Sequence, residues 1–247
     1  MVTERCCAGR DSGIGLRPAA RAELGEAPSF PHRARYDLHS KPISREASTP
    51  SRHSESKIGH DELCSWLEQS RIIPSVRIVE NLPAACASPA KIVFLMCGTP
   101  LTIGDLVARL KGFGKLPVVN LDILSGFARD AAAIEFLAKA GASGVISTHQ
   151  DTLRAARSHG LLAVQRTFAI DSVAVANSFR TLDHFLPDVI ELLPAIAAPL
   201  IIPVLNAMRP RLPVIACGLV SSLMQVDELV RQGVASVSVS NVSLWIV

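Results

Sequence analysis

From residue 71 onward, short apolar runs of strand length alternate with amphipathic segments that close on a turn residue, and this alternation limits the fold more than any single residue does. A parallel strand buried on both faces reads as an unbroken apolar run, and a crossover must return the chain before the next parallel strand begins. Eight runs have this character: Ile72–Pro74, Ile92–Met96, Val118–Ile123, Gly144–Ser147, Leu162–Gln165, Val189–Leu192, Val214–Ala216 and Ser236–Val239. Between them, Ile103–Leu110, Ala131–Ala140, Asp151–His159, Ser172–His184, Ala195–Ala207 and Ser222–Gln232 carry helical periodicity. The unit count predicts an α/β fold, a compact (β/α)8 TIM barrel. The stretch from Arg71 to Val247 is shorter than the usual barrel of about 250 residues, so helices and loops must be minimal and the eighth helix truncated at Trp245. A doubly wound open sheet is the alternative, but no Gly-x-Gly-x-x-Gly follows the first strand.

Before residue 58 the composition changes. Segments such as Ser48-Thr-Pro-Ser-Arg-His-Ser-Glu-Ser56 show neither period and offer too little apolar surface to offset the entropy of ordering. Residues 1–57 are therefore predicted to be a disordered N-terminal extension dispensable for folding, and 58–247 the barrel domain, with Asp61–Glu68 a short helix leading in. The net charge of +3 lies wholly in the extension, which holds ten of the 25 basic and seven of the 22 acidic side chains. Fifteen of each remain after residue 57, so the domain is formally neutral and any RNA contact needs a local patch.

The six cysteines form no Cys-x-x-Cys pair and no zinc spacing with histidine, which predicts free thiols in a reducing cytoplasm and no metal site. Glu4, Arg5, Arg10 and Asp11 interrupt any leader-like apolar core. The most apolar stretch, Leu192 to Met208, contains Pro194, Pro199 and Pro203 and is too short to span a bilayer; it reads as a strand end and a barrel helix. The expectation is a cytoplasmic protein with no membrane part.

In a (β/α)8 barrel, chemistry sits at the C-terminal ends of the strands. Asp122 follows strand 3, Ser147 and Thr148 follow strand 4, Arg166 follows strand 5, and Glu191 lies within strand 6. Asp122 has apolar neighbours, where a carboxylate needs a ligand or a structural partner; its strand-end place favours the ligand. Glu191 and Arg166 form either a structural ion pair or part of a ligand site, with Arg166 also able to clamp a phosphate. The last two units, Leu212–Ser222 and Ala235–Trp245, each end in a small-residue loop that opens a helix. Gly218, Leu219, Ser240 and Asn241 are thereby expected to hold a phosphate with backbone N–H groups and two positive helix ends. His149 reads as a loop or cap residue, His159 and His184 fall at helix ends, and no Ser/His/Asp constellation is assignable.

Six words in order, Val118-Val-Asn-Leu-Asp122, Gly144-Val-Ile-Ser-Thr148, Gly160 to Arg166 with Asp171-Ser172, Pro187-Asp-Val-Ile-Glu-Leu-Leu-Pro194, Pro213 to Leu219, and Ser238-Val-Ser-Asn241 with Leu244-Trp245, resemble the glycerol-3-phosphate-responsive antiterminators. The likeness runs from about Arg71 to Trp245. It implies a TIM-barrel regulator of glycerol uptake genes, without catalysis or cofactor, that senses glycerol 3-phosphate and acts on leader mRNA to let transcription pass a terminator. Self-association is left open. The chain departs from the family pattern at Asn120, where a histidine is usual, and at Ala195 and Cys217, where glycines are common. A side chain at Cys217 is expected beside the phosphate, restricting the loop. The fold alone also permits a small barrel enzyme acting on a phosphorylated polyol or sugar, with Asp122 and Glu191 as acid and base.

Overall fold

The structure, a computed structural model, describes residues 58–245. The expected extension 1–57, with Cys6 and Cys7, lies outside the described residues. Eight strands, β1 (Ile72–Val76), β2 (Ile92–Leu95), β3 (Leu116–Asn120), β4 (Gly144–Ser147), β5 (Leu162–Phe168), β6 (Val189–Leu193), β7 (Val214–Cys217) and β8 (Ser236–Val239), pair in parallel in sequence order, and β8 closes onto β1. The eight-unit reading is borne out.

Alternation along each strand divides the core in two. Phe94, Val118, Ile146, Val164, Val189 and Ile215 meet inside the barrel, whereas Leu95, Val119, Val145, Ile190, Ala216 and Val237 face the helices. β4 begins with glycine for a steric reason: a Cβ at Gly144 would lie 2.7 Å from Leu162 Cβ and 2.9 Å from Leu162 O on the neighbouring strand.

The helices are α1 (His60–Gln69), α2 (Leu82–Ala87), α3 (Ile103–Gly112), α4 (Ala131–Lys139), α5 (Gln150–Ser158), α6 (Ser172–Thr181), α7 (Ala198–Met208) and α8 (Leu223–Arg231). α1 seals one end of the barrel: Leu63 and Leu67 join the interior cluster, and Ser236 Oγ lies 2.6 Å from the carbonyl oxygens of Leu67 and Ser70. The Asp171–Ser172 word is a helix start, where Asp171 caps α6 by accepting from Ala174 N at 2.7 Å. The Leu192–Met208 stretch supplies the end of β6 and α7, as expected. Among the described residues no helix is long and apolar enough to cross a membrane.

Four sequence expectations need correction. β3 ends at Asn120, so Leu121 to Ile123 form the turn after it. β5 continues to Phe168, which puts Arg166 inside the strand. α2 has no counterpart among the expected helices, because Leu-Pro-Ala-Ala-Cys-Ala has no polar face to make a period. The unit after β8 ends in a three-residue 3-10 turn, Val242–Leu244, anchored by buried Trp245, whose Nε1 donates to Val239 O at 2.9 Å.

Candidate functional site at the barrel mouth

Two groups of the expected residues come together. In the first, Asp122 bridges the turns after β3 and β4. Its Oδ1 accepts from Ser147 Oγ at 2.7 Å, and its Oδ2 accepts from Thr148 N at 2.7 Å and Thr148 Oγ1 at 2.8 Å. Arg129, which the sequence did not single out, brings Nε to 3.4 Å from Oδ1 and donates through Nη2 to Asp122 O at 2.9 Å. Burial pushes the Asp122 carboxyl up, but the bonds from Ser147 and Thr148 outweigh it and hold the group below the ordinary carboxylate range. Both oxygens are engaged within the chain, so Asp122 braces two loops at the mouth. His149, the residue before α5, donates its backbone N–H to Ser147 Oγ at 3.0 Å and extends the same network.

The second group lines the barrel interior near the C-terminal ends of the strands. Arg166 and Glu191 sit opposite each other on β5 and β6, with Arg166 Nε 3.1 Å from Glu191 Oε2. The distance is that of an ion pair without the alignment of a hydrogen bond, which leaves Arg166 Nε and both Glu191 oxygens buried and under-bonded, with the weakly bonding Cys217 thiol as their other polar neighbour. Glu191 is fully buried; burial pushes its carboxyl up against the opposing effects of Arg166 and the Cys217 thiol. Cys217 is the last residue of β7, and burial and Glu191 push its thiol up. Its side chain thus belongs to this interior group and not to the phosphate loop, where the sequence had suggested it. Asn120, at the end of β3, is also fully buried: its Oδ1 accepts from Asp122 N at 3.2 Å, which turns Nδ2 away toward no partner. Its inward register with Val118 was the available sign of this role.

The loops after β7 and β8 form a third element. Gly218 and Leu219 adopt φ of 84° and 62° in succession, and Leu219 is strongly exposed. The backbone N–H groups of Gly218, Leu219, Ser240 and Asn241 make no hydrogen bond among the described residues. The helix ends differ from expectation. α8 is closed by a capping box in which Ser222 Oγ accepts from Gln225 N while Gln225 Oε1 accepts from Ser221 N at 2.8 Å and Ser222 N at 3.2 Å. After β8, Asn241 Oδ1 accepts from Ser243 N at 3.1 Å, and a single 3-10 turn offers little aligned dipole. The cap engages Ser222 N and Gln225 N, while the amides of Gly218, Leu219, Ser240 and Asn241 lie in the loops themselves.

Fold and site together define a class: a (β/α)8 barrel with an under-bonded polar interior at its mouth and, among the described residues, no His/Cys/Asp/Glu group arranged for a metal. The family model for glycerol-3-phosphate responsive antiterminators matches residues 72–245, and the chain belongs to that family. It is 30% identical over 184 residues to the Escherichia coli (strain K12) protein YgcP, covering 74% of this chain and 95% of that one. Among solved structures, it is similar to the glycerol uptake operon antiterminator regulatory protein of Listeria monocytogenes strain 4b F2365 at 30% identity and a TM-score of 0.66, covering 72% and 95% of the two chains. It is also similar to a glycerol uptake operon antiterminator-related protein of Thermotoga maritima MSB8 at 30% identity and a TM-score of 0.64, covering 71% and 98%. Deoxyribose phosphate aldolase of Aeropyrum pernix, at 13% identity and a TM-score of 0.55, shares the fold alone.

Proposed function

We propose that this regulator senses glycerol 3-phosphate and, when liganded, acts on leader mRNA so that transcription passes a terminator. The observation that carries the reading is a set of buried, under-bonded atoms, Asn120 Nδ2, Arg166 Nε and the two Glu191 oxygens; those of Arg166 and Glu191 have an ion pair and a thiol beside them but no well-aligned hydrogen bond. A polyol supplies both donors and acceptors to such a set, and each buried group left unsatisfied costs about 1–3 kcal/mol until it is met. The phosphate is assigned to the free amides of Gly218, Leu219, Ser240 and Asn241. Asp122, Ser147 and Thr148 border the ligand and hold the loops in place, with Asp122 assigned to a polyol hydroxyl.

The enzyme reading casts Asp122 and Glu191 as acid and base; Asp122 has both oxygens bonded within the chain, and Glu191 lies against Arg166 in the barrel interior. Family membership favours regulation as well.

Thermal melts with glycerol 3-phosphate, glycerol and inorganic phosphate test ligand binding, since a ligand bound only by the folded state raises the melting temperature by mass action. A clear rise with millimolar glycerol 3-phosphate and none with glycerol is expected; no rise refutes the sensor reading. A salt-titrated RNA-binding assay on the leader transcript, with and without the ligand, tests the output. Equal affinity in both conditions refutes the coupling.

A further inference from the structure

We propose that the outer face of α7 is the seat of a two-fold dimer of this chain. Leu200, Val204 and Met208 recur every fourth residue of α7 and are 66, 47 and 39% exposed, and Ile196, in the short 3-10 turn that leads into the helix, is 79% exposed. The opposite side of the helix, with Ala198, Ile201, Ile202 and Leu205, is buried against the barrel. No charged residue occurs from Ala195 to Met208 and Asn206 is the one polar side chain among them, so the helix is apolar on nearly every side, a pattern that belongs to a helix covered on both faces.

The neighbouring helix in barrel order, α8, begins with Leu223 and Met224, and Met224 is 76% exposed. These six residues, 36–79% exposed, place uncharged apolar surface on two consecutive helices of the barrel, the kind of surface that marks an interaction site.

The absence of charge selects the occupant. An isologous interface must be complementary to its own image, and an uncharged stripe places no like charges against each other across a dyad. Two α7 helices related by a dyad across this face can run antiparallel, setting opposite dipole ends side by side. The cation at the end of the stripe, Arg209, is neutralised by Asp183 at 2.7 Å and forms a polar rim. A charged partner would instead strand its own charges on this face.

Sedimentation of the full chain up to about 100 µM tests the assignment, where a standard-size apolar interface is expected to be populated. The expected result is twice the 26.4 kDa mass for the wild type. Leu200→Glu and Ile196→Lys, both at exposed positions, should keep the wild-type circular dichroism spectrum and weaken dimerisation by at least about 100-fold. A wild type that stays monomeric, or folded variants that dimerise as tightly as the wild type, overturns the proposal.

Discussion

Replacing Asp122 with alanine removes one acceptor for three donors at once, the Ser147 hydroxyl and the Thr148 N–H and hydroxyl, and leaves buried Ser147 without its acceptor. Hydrogen bonds to a charged group contribute about 1.5–3 kcal/mol each, but bonds sharing one carboxylate are not additive and Thr148 can turn to water, so a total loss of about 2–4 kcal/mol is expected. For a domain of this size each kcal/mol moves the melting temperature by about 2–4 °C, which predicts a drop of about 4–16 °C. Asp122→Asn keeps one acceptor and should lose about half as much. The pH dependence separates this brace from simple packing. The folded Asp122 carboxyl lies below its unfolded value, so its contribution is fully present above the ordinary carboxylate range and is lost as pH falls through the folded value. The gap between wild type and Asp122→Ala should be constant from about pH 8 to 5 and close below about pH 4. A drop of less than about 1 °C at neutral pH, or a gap unchanged in acid, would refute the brace.

Arg166→Gln removes the cation that opposes the upward push of burial on Glu191. A carboxyl with a raised folded value loses stability as pH rises from its unfolded toward its folded value, so melts of Arg166→Gln from about pH 4 to 8 should fall more steeply than those of the wild type. Gly144→Ala forces a Cβ against Leu162 backbone and should cost about 3 kcal/mol, read by chemical denaturation. Gly218→Ala has room, with Pro194 Cα the nearest atom at 3.9 Å, but must hold a positive φ and should cost about 1 kcal/mol while weakening anion binding. A chain shortened to begin at Lys57 should melt with the full chain; a much lower transition would place the boundary wrongly.

The barrel was legible because its strands are apolar on both faces and separated by capped helices, so Val118–Val119 or Val145–Ile146 could hardly belong elsewhere. Ends were less legible. β5 continues past Gln165 through Arg166 and Thr167, polar residues that look like a loop until the Cα register with Glu191 and Leu192 shows them paired. Asp122, Ser147 and Thr148 were found as strand-end polar residues, but their mutual hydrogen bonds depend on how two turns fold toward each other. Arg129 was missed because it comes from a loop seven residues on, with no periodicity to mark it. Cys217 looked like a loop residue from the glycine beside it, whereas the strand register turns it inward against Glu191.

The chemistry of the mouth bears on how occupancy becomes a signal. Asp122 is bonded through both oxygens to Ser147 and Thr148 and so ties the rim together without help from a ligand. Arg166, Glu191 and Asn120 are the opposite case, under-bonded within the chain, so a guest that reaches them adds hydrogen bonds the protein itself does not make. On the proposed reading, the free energy of satisfying them belongs to the liganded state alone, and a ligand shifts a conformational equilibrium only by such a difference between states. Two or three bonds of about 1 kcal/mol each shift a population by roughly 30- to 150-fold, within the usual span of coupling between two sites. A neutral domain surface makes this useful: with no bulk attraction to RNA, binding rests on a local surface whose geometry the ligand can set.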